Sequence, residues 1–144
     1  MSMTAADYLC YAIGHDSRMV DAIGDRLFAS TSLGEDGTID GAKVVRPWAA
    51  WNELPAVTHE AVRKVSKAKT RTYQFFVYDD PGVYSAINEL LEVAEDVVQG
   101  FAPKLTPAGI TIMESAWEGL SGNLRDESYG CAVRFGTASL VVSS

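Results

Sequence analysis

Residues 71–101 read RTYQFFVYDDPGVYSAINELLEVAEDVVQGF, and they constrain the fold more than any other stretch. Thr72 to Tyr78 is dense in aromatic and β-branched residues, which suit a pleated, half-buried surface. Tyr73, Phe75 and Val77 fall on one face of such a strand; Gln74, Phe76 and Tyr78 fall on the other. Both faces are largely apolar, so the strand is expected inside a sheet rather than at its edge. Asp79-Asp80-Pro81-Gly82 ends it. Asp80 is placed to cap a following helix, and Pro81 suits the first helical position because the N–H it lacks has no partner there. Ile87, Leu90, Leu91, Ala94, Val97 and Val98 then recur at helical spacing, with Glu89, Glu92, Glu95 and Asp96 largely opposite. Gly100 and Pro103 close the pattern, predicting a helix over about 81–99 with one apolar stripe laid on a sheet.

The flanking segments extend this unit in both directions. Thr4 to Asp7 resembles a capping box, and Tyr8, Leu9, Ala12 and Ile13 follow at helical spacing up to Gly14. A second short helix is predicted from Ser17 to Ile23, with Met19, Val20 and Ile23 inward, then a short strand over Arg26–Ser30. Thr31–Gly41 is rich in glycine, acids and hydroxyls and reads as a flexible loop or hairpin tip. Strand character returns at Lys43–Val45 and over Pro47–Trp51. The segment from about 56 to 70 is polar and basic. It reads as a second flexible loop, either a weak helix over His59–Ala68 or an excursion between two paired strands.

Beyond the long helix, Ala102–Gly109 is a connector, Ile110–Glu118 a half-polar strand, and Gly119–Glu127 a polar turn. Ser128–Val142 forms a long strand with Tyr129, Cys131, Val133 and Phe135 on one face and Arg134 on the other. The last two strands are adjacent in sequence and are expected to pair as an antiparallel hairpin. This order predicts an α+β fold, one domain over residues 1–144. Its sheet is mixed and mostly antiparallel, with an N-terminal helix and the long helix packed on it.

The chemistry-bearing residues do not assemble into a catalytic signature. His15 and His59, the only histidines, lie in different segments with no helical partner, so no metal site is expected. Cys10 and Cys131 sit among apolar residues and belong to no CxxC pair, which predicts two reduced thiols. Asp79 and Asp80 are explained as strand-end and helix-start residues rather than as an acid–base pair. The glycines around Ser121 match neither a phosphate-binding loop nor a nucleophile elbow. No cofactor is implied. No apolar run approaches the ~20 residues of a membrane span, and no secretory signal is expected. The net charge of −7 disfavours general nucleic-acid affinity. Against that background, Arg63, Lys64, Lys67, Lys69 and Arg71 supply five of the twelve basic residues. They form either a solvated charged loop or a contact for an acidic partner or phosphate.

DRLFAS at 25–30, Leu54-Pro55, the strand–helix unit over 71–98 and AWEGLSGNLRDESYGCAVRFGTASLVV at 116–142 together resemble a known family. The arrangement is similar to the tail terminator (tail completion) proteins of long-tailed bacteriophages, particularly those of actinobacterial hosts. The resemblance covers the chain from about Asp7 onward. It implies a non-enzymatic virion protein, assembled in the host cytoplasm, that forms a hexameric ring. The ring caps the finished tail tube and provides the head-attachment surface, with tail-tube and connector proteins as partners and DNA merely passing through the lumen. By residue type Trp48 and Trp51 read as packing anchors rather than a ligand cage; the resemblance makes them candidate subunit contacts and turns the basic run toward the lumen or a partner. A head-closure or head–tail joining neck protein is the alternative. A small-ligand-binding or enzymatic α+β domain is a further one, and it would require a deep pocket with converging polar groups.

Overall fold

The computed structural model describes residues 5–29, 38–39, 42–54, 57–60, 67–101, 103–105 and 109–143. The helices are α1 (Ala5–His15), α2 (Ser17–Ile23) and α3 (Ser85–Gln99). The strands are β1 (Leu27–Ala29), β2 (Thr38–Ile39), β3 (Ala42–Lys43), β4 (Trp48–Glu53), β5 (Val57–Glu60), β6 (Lys67–Asp79), β7 (Lys104–Leu105), β8 (Thr111–Leu120), β9 (Leu124–Asp126) and β10 (Cys131–Ser143). The main sheet runs β1-β4-β6-β10-β8-β7, with β5 continuing beside β6 and β9 beside β10. Only β1–β4 is parallel; the other pairs are antiparallel. This is the α+β class with a mixed, mostly antiparallel sheet.

The strand read as central is central. It is flanked along its whole length by β10 and, on its other side, by β4 and then β5. It also starts earlier than its apolar residues suggest, at Lys67, because ladder hydrogen bonds to β5 and β10 hold polar residues as readily as apolar ones. The stretch expected as a loop over about 56–70 therefore contains two paired strand segments, and at its described ends no helix forms over 59–68. Between Glu53↔Tyr73 and Val57↔Thr70 the register advances by one residue, beside a hydrogen bond from Leu54 N to Thr72 O of 2.8 Å.

Period-two alternation divides the sheet into two apolar faces. Ala49, Tyr73, Phe75, Val77, Ala138, Leu140 and Val142 meet the helices, where Leu9, Ile13, Met19, Ile23 and the α3 stripe complete the main core. All of the predicted stripe is buried except Val97, which is partly buried, and Val93 joins it. Val20, expected inward, is 45% exposed, and Gly14 lies within α1 rather than ending it. Gly14 instead gives close approach to β1: a Cβ there would sit 3.3 Å from Leu27 Cδ2.

The start of the long helix differs from expectation. Asp80-Pro81-Gly82-Val83 is a turn, closed by a 2.9 Å hydrogen bond from Val83 N to Asp80 O, with Gly82 at φ 79°. Proline followed by a positive-φ glycine is the signature of a type II turn. The helix begins only after it, at Ser85, and its N-cap, Tyr84, makes no side-chain capping bond. Asp80 instead pairs with Arg46 at 3.1 Å, and Asp79 accepts from Asp80 N at 2.7 Å. Most of the loop expected at about 31–41 lies outside the described residues; β2 within it pairs with β3 just beyond it as a separate ribbon.

Candidate functional site

The structure treats the two tryptophans differently. On the helix-free face of the sheet, Trp48 stacks on Tyr78 with centroids 4.0 Å apart and lies near Phe28 and Tyr129. Ala50, Cys131 and Val133 complete this second cluster, and Trp48 is only 2% exposed. Arg46 closes it by reaching Asp80 and donating to Tyr129 O at 3.3 Å. Trp48 is thus a packing residue within one chain, and its surface is already covered before any neighbour arrives. This burial agrees with the packing-anchor reading of Trp48 and leaves that side chain little surface for a subunit contact.

Trp51 lies on the helix face and is half-buried. It sits edge-on to Tyr73 and borders a groove of about 580 Å³ with Cys10, Tyr11, Val20 and Leu27. Tyr11 is 52% exposed and stacks on His15, whose Nδ1 donates to Tyr11 O at 2.8 Å. Aromatic rings at a groove mouth are a common form of protein-contact anchor. The lining also includes His15 and Asp25. Burial, helped by the Asp7 charge, pushes the Cys10 thiol up to about 12, so it is not a thiolate at neutral pH. Sequence reasoning missed this groove, since its walls come from α1, α2 and β4.

Of the basic run, the structure describes the side chains of Lys69 and Arg71. Arg71 is half-buried and donates to Glu53 Oε1 at 2.6 Å across the β4–β6 pair, which raises its pKa further. Lys69 is exposed on β6, and Lys67 opens the same strand. Arg63 and Lys64 lie outside the described residues, in the connection between Glu60 and Lys67, which face each other in the ladder.

Ser121 has a structural occupation. Between Leu120↔Gly136 and Leu124↔Val133, three residues of one strand face two of β10. Ser121 fills this bulge, donating its N–H to Phe135 O at 2.8 Å while its Oγ accepts from Phe135 N at 2.9 Å. Arg134 ties Ser121 O to α3 by also reaching Asn88. Among the described residues, no three of His, Cys, Asp and Glu converge, and no helix is long and apolar enough to cross a membrane.

No family model and no curated protein sequence matches the chain. Among solved structures, the fold is similar to a chain in the virion of a native gene transfer agent (GTA) particle. The TM-score is 0.71 at 10% identity, over 94% of this chain and 92% of that one. At that identity the likeness is one of fold, and it extends over nearly the full length of both chains.

Proposed function

We propose that this chain is a structural virion protein, a single domain over residues 1–144. It caps the end of a phage-like tail tube as a ring and presents the surface to which the head attaches. The observation that carries the reading is the end-to-end likeness of fold to a chain of a gene transfer agent virion. That likeness supports a virion protein, and the motif resemblance to tail terminators narrows the reading to the tail end. The groove beside Trp51 offers a surface for protein contacts, with Tyr11, Val20 and Leu27 beside the polar His15 and Asp25.

On this reading the partners are further copies of the chain, the tail-tube protein and the head–tail connector, with DNA passing through the lumen and no cofactor required. The protein assembles in the host cytoplasm and remains in the virion. The test mixes the purified protein with tail tubes from a matched particle lacking its terminator and images the ends by negative-stain electron microscopy. A ring at one tube end, with tails then competent to join heads, is the expected result. Bare ends, with folded protein in excess, would sink the capping role; binding to portal-bearing heads instead would establish the neck-protein alternative.

A further inference from the structure

An apolar hollow and an apolar projection stand at opposite edges of the main sheet, at the same height along its strands. The groove beside Trp51 lies at the β1–β4 side, and Leu120 ends β8 at the other. The ladder puts the two in one row: Ala29 faces Trp51, Trp51 faces Phe75, Phe75 faces Gly136 and Gly136 faces Leu120. Residues directly opposite in a ladder share a face of the sheet. Phe75 belongs to the core beneath the helices, so the row runs along the helix side. At one end Leu120 is 48% exposed. At the other, Tyr11, Val20, Leu27 and Trp51 line a hollow of about 580 Å³, ample for a leucine side chain.

A second row carries opposite charges at its two ends. Four residues from Gly136 along β10, Ala132 faces Arg125 on one side and Asp79 on the other. Across the sheet, four residues before Trp51 stands Pro47. Ala49 faces Leu27, and two residues before that parallel pair are Pro47 and Asp25. Asp25 lines the groove, is exposed and enters no ion pair among the described residues. Arg125 reaches only Glu127, at 3.6 Å with both side chains largely exposed, a weak pair that can exchange. One edge thus presents an apolar side chain and a cation, and the other an apolar hollow and an anion, at matching spacing. We infer that Leu120 of one copy of this chain docks in the groove of a second copy, against Tyr11, Val20 and Trp51, with Arg125 set toward Asp25. The inference rests on the ring reading above and names the contact between neighbours. The two edges differ, so the contact is head-to-tail, and repeating it by rotation closes a ring. Leu120 is its buried anchor, while the charge pair fixes register.

Sedimentation velocity on the full chain tests this with Leu120→Asp, Val20→Asp, and the charge variants Arg125→Asp, Asp25→Arg and the two combined. All four positions are exposed, and thermal melts verify folding. Wild type is expected to self-associate as its concentration rises. Leu120→Asp and Val20→Asp should each associate at least about tenfold more weakly, the loss of one anchor contact. An equimolar mixture of the two retains one working edge of each kind and should stop at dimers. Each single charge variant should weaken association, and the combined swap should restore it. Wild-type protein that stays monomeric at every concentration overturns the proposal, as does a Leu120→Asp or Val20→Asp variant that associates like wild type. If Val20→Asp alone abolishes binding to tail tubes while Leu120→Asp binds them normally, the groove takes another virion protein and the self-contact is refuted. Association that depends on both edges, with tube ends left bare, would keep this contact and remove the capping role. Tubes capped equally well by wild type and both variants would do the reverse.

Discussion

Several residues whose chemistry invites a catalytic reading are accounted for at the level of single contacts. Asp79 and Asp80 hold a turn and an arginine, Ser121 fills a bulge, and Cys10 is kept protonated by burial. Among the described glycines, Gly136 has the least room for a side chain. A Cβ built at Gly136 would lie inside the Trp117 indole, which packs flat against that backbone across the β8–β10 ladder. The cost there is steric, since Gly136 is not among the glycines with positive φ. Gly136→Ala should therefore destabilise the fold by about 1–3 kcal/mol, the usual overpacking range, with a shift in tryptophan emission. An unchanged denaturation midpoint would mean the indole moves aside freely. Arg71→Ala, by contrast, removes a pair that is about one-third exposed at both ends, and such pairs contribute roughly 0–1 kcal/mol.

Elements show where sequence patterns bind tightly and where they do not. The α3 stripe was legible because helical periodicity reports burial on one face, and Leu91 at 1% exposure lies at its centre. Leu91→Ala should cost about 2–5 kcal/mol in chemical denaturation, the range for emptying a well-packed leucine site. The start of α3 was misjudged because Asp-Pro opens a helix and a type II turn equally well; the glycine at φ 79° decides for the turn. Likewise, Lys67 to Arg71 carries no apolar alternation to mark a strand, yet β5 and β10 pair with it. Those ladder bonds depend on partners distant in sequence.

For the whole molecule, burial of titratable groups links stability to alkaline pH. Cys10 is raised from 9.0 to about 12, and Cys131, Tyr73 and Tyr78 move upward as well, each mainly through burial. Between the unfolded and folded values the unfolded chain has lost a proton that the native state keeps, so rising pH favours unfolding. Stability should be level below pH 9.0 and fall as pH climbs toward about 12, with a shallower fall in Cys10→Ala. Urea midpoints across that interval, under reducing conditions, check this; a flat profile would mean the thiol titrates normally in the fold. The sequence alone determined the fold class, the central strand, the apolar stripe of α3 and the β8–β10 hairpin, because each is written in local periodicity and adjacency. Only the tertiary structure decided that Trp48 is sealed while Trp51 borders a groove, and that Arg71 is occupied. Those outcomes depend on which side chains from separate segments meet, and periodicity within one segment carries no information about the segment across from it.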